Sequence, residues 1–284
     1  MQDSAEQPFA EWLGRTETVE DFIAPAPALM AAATLDDPDT GCADGAGLPP
    51  LWHWFYFLPK APQSRIGPDG HPMRGDFMPP ISLPRRMFAG ARLTFHRPLT
   101  IGRPAEREGV IRSIAEKSGK SGTLAFVTVA YRFRQDGALC IEEEQDIVYR
   151  GEPGQPVPPP AVRELPPPPA GAWSRTIRPD PVLLFRYSAI TFNGHRIHYD
   201  RTYATEVEGY PGLVVHGPLT AVLLLELVRR NTDRRVQSFS FRGLAPLFDL
   251  APFRVTGRAS DGAVVLEALG PDGKTAMTAE ASLG

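Results

Sequence analysis

Residues 216–230 read HGPLTAVLLLELVRR, and the apolar positions Leu219, Val222, Leu223, Leu224, Leu225, Leu227 and Val228 fall on nearly every side of a helix. Such a helix cannot lie on a surface with one face in water; it has to be enclosed, and a curved sheet is the simplest enclosure. Enclosure by lipid is not an option, because no apolar run approaches the roughly 20 residues that a membrane span needs. The chain must therefore supply strands enough to wrap a helix that begins at Gly217-Pro218.

Those strands are legible on both sides of a proline-rich segment. In the first half, residues 91–97, 109–115, 123–133 and 140–149 read as strands, separated by turn signals at 101–104, 117–122 and 135–137. Within the third, Ala125, Val127, Val129, Tyr131 and Phe133 alternate with the other face and give one side a continuous apolar surface. Upstream, 9–13 suggests a short amphipathic helix and 28–35 (ALMAAATL) a buried one. The aromatic run 52–58 (WHWFYFL) reads as a strand and 59–84 as a long surface loop. Residues 151–171 hold nine prolines and read as a semi-rigid linker. After it come a strand at 173–177, a helix at 182–189 started by Asp180-Pro181, the enclosed helix, and strands at 236–242, 253–259, 263–268 and 275–282. The expected organisation is α+β: a unit over 1–150, a linker over 151–172 and a second unit over 173–284, each an antiparallel sheet around a central helix.

At 284 residues the chain suits two ordinary domains, and a net charge of -3 supplies no basic field for nucleic acid or anionic lipid. Two cysteines, Cys42 and Cys140, look like reduced core residues rather than a disulfide framework. The first residues carry neither a signal-peptide nor a transit-peptide pattern, so a soluble cytoplasmic protein is the default expectation.

Three of the six histidines, His195, His198 and His216, cluster around the start of the enclosed helix. The spacing of His195 and His198 invites a metal, but no glutamate pattern or acidic cluster nearby completes a ligand set, so none is expected. A different chemistry suits these residues better. The first amides of a helix lack intrahelical partners, and Gly217 leaves that backbone open to a ligand atom. An amide aimed at a thioester carbonyl would stabilise an enolate, and a nearby imidazole could move the proton of a water.

The run 193–204 (NGHRIHYDRTYA), followed by His216-Gly217, resembles the hydratase motif of the MaoC-like, R-specific enoyl-CoA hydratases, and is closest to a subgroup comprising mesaconyl-C4-CoA (3-methylfumaryl-CoA) hydratase and mitochondrial-type 3-hydroxyacyl-thioester dehydratases. The first-half segments RMFAGARLTFHRPL and EEEQDIVYR carry the same likeness. The resemblance implies a double hotdog fold and reversible hydration of an α,β-unsaturated acyl-CoA, mesaconyl-C4-CoA to citramalyl-CoA, without metal or redox cofactor. It implies His198 as catalytic base and Gly217 as oxyanion amide. Asn193 stands where the family has a catalytic aspartate, and would orient the attacking water. The α-carbon proton would come from His198, His195 or Asp200, although Asp200 also suits a helix N-cap. His195 and His216 would sit with the substrate, and Arg196 or Arg186 would meet a second carboxylate. Arg85, Arg86, Lys117 and Lys120 are candidates for the CoA phosphates, and Arg242 for fixing a strand end. A fatty-acyl 3-hydroxyacyl-thioester dehydratase, a hotdog thioesterase and a non-catalytic acyl-CoA binding module are the rival readings, and a homodimer of the chain is one expected assembly.

Overall fold

The computed structural model describes residues 9–119, 122–152, 155–165 and 167–284, so Lys120 lies outside the described residues. Ten strands form one antiparallel sheet: β1 (Thr16–Phe22), β2 (Arg85–Phe95), β3 (Pro104–Gly119), β4 (Gly122–Gln135), β5 (Ala138–Arg150), β6 (Trp173–Ile177), β7 (Val236–Gly243), β8 (Phe253–Ser260), β9 (Ala263–Leu269) and β10 (Thr275–Leu283). Their order is β1-β3-β4-β5-β2-β7-β10-β9-β8-β6, so the second five repeat the first five in mirrored sequence about the β2–β7 seam. The register there sets Leu93 opposite Phe239 and Ala91 opposite Phe241. Gly90 at this seam is close-packed: a Cβ there would lie 2.5 Å from the Phe241 carbonyl oxygen.

The enclosed helix is α3 (Gly217–Arg229), and every residue from Leu219 to Val228 is buried, Thr220 and Glu226 included. It packs against β8, β9 and β10. The helix predicted at 28–35 extends to α1 (Pro25–Leu35), which packs against α2 (Pro181–Ile190) and against a 3₁₀ turn at Trp52–Phe55. The Asp180 side chain caps α2 by accepting the Leu183 amide at 2.9 Å. One apolar core runs through both halves, and a smaller cluster around Ile111, Val127, Ile147 and Tyr149 lies apart from it. Cys42 and Cys140 are buried free thiols. No helix among the described residues is long and apolar enough to cross a membrane.

Three segments differ from the sequence reading. The run 52–58 is not a strand: Leu51 (φ 69°) and Phe57 (φ 53°) are left-handed, and between them the chain makes the 3₁₀ turn. That turn hands its polar atoms to two buried glutamates. Trp52 Nε1 donates to Glu226 at 2.9 Å; Trp54 Nε1 donates to Glu143 at 3.0 Å, and His53 Nε2 lies 2.9 Å from the same carboxylate. The strand β1, unassigned in the sequence reading, is an edge strand whose residues are exposed or half-buried and include Glu17, Glu20 and Asp21. Residues 59–84 contain only a short 3₁₀ turn (Gln63–Arg65) as regular helix or strand, but their tip reaches the second half.

Candidate active site

The segment between α2 and α3 owes its shape to a chain of local hydrogen bonds. The Asn193 amide donates to the Ser188 carbonyl at 2.8 Å, and Asn193 Oδ1 accepts the His195 amide at 3.0 Å. This Asx turn delivers the chain into a 3₁₀ turn at Arg196–His198. Asp200 then caps the following turn by accepting the Tyr203 amide at 3.0 Å and pairs with Arg196 at 2.7 Å, so its carboxylate is a cap and not an inward acid.

His198 ends up buried. Its Nδ1 donates to the Val214 carbonyl at 2.7 Å, which fixes the tautomer and leaves Nε2 with its lone pair free. Its ring stacks on that of His216 with centroids 3.6 Å apart, and His195 stands edge-on at 5.3 Å. His216 Nε2 is 2.8 Å from the Ser188 hydroxyl, and the His216 carbonyl accepts the Thr220 amide at the start of α3. The residue after it, Gly217, is the first of α3, and Pro218 contributes no amide of its own. The Gly217 amide thus remains as a free donor at the helix start.

These residues open onto a cleft of about 1340 Å³ lined from both halves: by Asn193, His195, His198 and Gly217 from the second, and by His71, Arg86 and Phe88 from the first. Not every residue anticipated here faces it. His216 is fully buried behind His198 and supports that ring instead of touching ligand. Arg186 is exposed on the outer side of α2. Arg196 is engaged by Asp200, by the Pro68 carbonyl and by the face of Tyr203 at 4.1 Å. Arg85 forms a buried ion pair with Glu208 at 2.6 Å and stacks over Tyr210, while Lys117 is exposed far out on β3. Arg242 is exposed near the end of β7. By contrast Arg86 lines the cleft, and its guanidinium makes no hydrogen bond or ion pair among the described residues.

The sequence reading missed a contribution from the loop. At its tip His71 Nδ1 lies 2.9 Å from Asp69 Oδ2, and the His71 ring is 4.1 Å from that of His195. The signal was the turn sequence Gly67-Pro68-Asp69-Gly70, with a histidine directly after it. Ligand atoms of Asp69, His71 and His195 lie within 4.8 Å of one another, so the acidic partner that the sequence reading found lacking beside His195 is supplied from the other half. The His71–Asp69 hydrogen bond uses the ring nitrogen as the orienting donor of an Asp-His pair.

Burial dominates the electrostatics. It pulls the His198 imidazole down to about 4 and, with His71 and His198 alongside, His195 to about 2. His216 and His71 are lowered too, chiefly by burial, the latter against the opposing effect of Asp69. All four rings are therefore neutral at pH 7 in the folded chain, whereas in the unfolded chain each takes a proton below about 6.5. Between about pH 6.5 and 4 the unfolded state binds more protons, so stability falls as the pH falls. Denaturant unfolding at pH 7.5, 6.5 and 5.5 should show this loss, up to about 1.4 kcal/mol per pH unit for each fully titrating ring; a flat profile would contradict it.

A sheet mirrored about a central seam, with an enclosed helix whose first residue lines the same cleft as a buried histidine, defines a double hotdog protein of the dehydratase and hydratase type. Residues 51–249 match the family of hydroxyacyl-thioester dehydratase type 2, and the chain belongs to that family. It is 64% identical over 273 residues to the mesaconyl-C(4)-CoA hydratase of Chloroflexus aurantiacus, covering 96% of this chain and 97% of that protein. In structure it resembles a MaoC-like dehydratase (TM-score 0.72, 16% identity, 95% and 98% of the two chains). It also resembles a Mycobacterium tuberculosis protein described as having a double hotdog fold (TM-score 0.60, 13% identity, 95% and 96%). The chain is an enzyme of the hydro-lyase class.

Proposed function

We propose that the chain adds water to mesaconyl-C4-CoA to give citramalyl-CoA. The observation that carries this reading is the cleft that combines the free Nε2 of His198, the Gly217 amide and the unpaired guanidinium of Arg86. The relative from Chloroflexus aurantiacus, 64% identical, supports the same substrate. In mesaconyl-C4-CoA the β-carbon bears both the methyl and the free carboxylate. His198 Nε2 takes a proton from water, the water oxygen bonds to the β-carbon, and the π pair moves onto the thioester oxygen held by the Gly217 amide. Protonation at the α-carbon completes the addition, and no electron carrier is needed. Asn193, whose Oδ1 is committed to the His195 amide, presents its Nδ2 donors to the water. Arg86 meets the carboxylate.

Purified protein mixed with mesaconyl-C4-CoA, crotonyl-CoA and longer 2-enoyl-CoA esters should consume the first fastest, read as loss of the conjugated-thioester absorbance. Faster turnover of long chains would favour a fatty-acyl dehydratase. In the same assay Arg86→Gln should raise KM for mesaconyl-C4-CoA by about 10- to 100-fold, the worth of one charged hydrogen bond, and leave crotonyl-CoA nearly unchanged. An equal effect on both esters would remove Arg86 from carboxylate recognition.

A further inference from the structure

The motif aspartate is absent at Asn193, so the second half alone offers no carboxylate to support proton transfer at the substrate. Asp200 is a cap, and its oxygens are taken by Tyr203 and Arg196. A carboxylate does stand nearby, and the chain has built a dedicated structure to bring it there. Residues 65–73 fold back on themselves: the Met73 amide donates to the Arg65 carbonyl at 2.8 Å, Gly67 to His71 at 2.8 Å and Gly70 to Gly67 at 3.0 Å. The His71 amide also donates to Asp69 Oδ1 at 3.0 Å, so Asp69 holds His71 by backbone and ring together.

This tip is locked onto the catalytic segment. The Arg196 amide donates to the Asp69 carbonyl at 2.9 Å, and Arg196 NH1 donates to the Pro68 carbonyl at 3.1 Å. At the crossing Gly70, left-handed with φ +90°, has no room for a side chain: a Cβ there would fall 1.8 Å from the Gly194 carbonyl oxygen. A Cβ on Gly194 would in turn lie 2.7 Å from the Gly70 oxygen. Two glycines facing each other allow the two backbones to touch, and the result is a His71 ring 4.1 Å from His195 on the wall of the same cleft. Arg74 and Arg86 are the cations near it.

We propose that the Asp69–His71 pair is the second acid-base group of the site, replacing from the first half the carboxylate that the motif lacks, with His71 protonating the α-carbon. The inference rests on the hydratase reading above. In the addition step all three rings start neutral: His198 Nε2 takes the proton that leaves water, His195 passes a proton on to His71 Nε2, and His71, held through Nδ1 by the Asp69 carboxylate, delivers it to the α-carbon of the enolate. The net proton count of the site is unchanged. His195, between the two rings, is positioned to carry the proton from His198 to His71 within the turnover.

The test measures hydration by the full chain carrying His71→Gln, His71→Ala or Asp69→Asn, each checked against the wild type by its thermal transition. His71→Gln should lower kcat by at least about 100-fold with KM within about threefold, and Asp69→Asn by about 10-fold or more. Added imidazole should restore His71→Ala by at least about tenfold, which a merely structural role for the ring would not allow. His71→Gln within threefold of wild type, a His71→Ala defect that imidazole does not touch, or wild-type activity abolished by a chelator and restored by zinc would each overturn the proposal. A wild type inert toward every enoyl-CoA would instead overturn the hydratase reading itself.

Discussion

His198→Asn is expected to lower kcat for hydration by roughly 10³- to 10⁴-fold while thioester binding stays within about tenfold, or 1.4 kcal/mol. The asparagine matters because its side-chain amide can still donate to the Val214 carbonyl, as His198 Nδ1 does at 2.7 Å, but presents no basic nitrogen toward the cleft. His198→Ala should be equally inactive and also less stable, since it leaves that carbonyl without its donor and the face of His216 without its partner. Steady-state kinetics with a denaturant titration of both variants separate the two effects. An asparagine variant with more than a tenth of wild-type turnover would end the assignment of His198 as base.

The second large effect concerns stability. Glu226 is buried on α3 with its Oε1 accepting from Trp52 Nε1 at 2.9 Å and from Arg229, across 174 residues of sequence in the first case. Burial raises its carboxyl, opposed first by Arg229. Glu226→Ala removes one member of a buried ionic cluster and strands the indole and the guanidinium, which should cost about 3–5 kcal/mol. Glu226→Gln retains the acceptor and most of the volume, and should cost less than about 1.5 kcal/mol. The reading is a shifted urea midpoint at unchanged slope; a loss below about 1 kcal/mol for the alanine variant would mean that Trp52 and Arg229 find other partners.

How much of this could be read in advance depended on the range of the interaction. The enclosed helix, nine of the strands named beforehand and the Asp180 cap follow from periodicity and neighbouring residues, and the structure has each of them, β2 starting six residues earlier than read. The run at 52–58 misled because aromatic residues fit a pleated surface by default, and only the distant carboxylates of Glu143 and Glu226 draw the indole and imidazole nitrogens into a turn. β1 was hidden by Glu17, Glu20 and Asp21, charges that an edge strand tolerates. At the site, His198 and Gly217 lie inside one local motif. The Asp69–His71 pair and Arg86 come from more than a hundred residues away, and the exposed Arg186 and engaged Arg196 show that proximity in sequence does not aim a guanidinium.

The mirrored strand order has a further consequence for how such a chain can vary. Were the two five-stranded halves identical copies meeting at β2 and β7, any substitution would appear on both sides at once, and an alteration helpful on one side would have to be harmless on the other. Written as one polypeptide, each half changes independently, and the partnership is guaranteed in a one-to-one ratio at any concentration. This chain has used that freedom unevenly: a long helix and the stacked imidazoles on one side, an elongated loop and a guanidinium on the other, and therefore a lopsided chamber that the two halves line with different side chains.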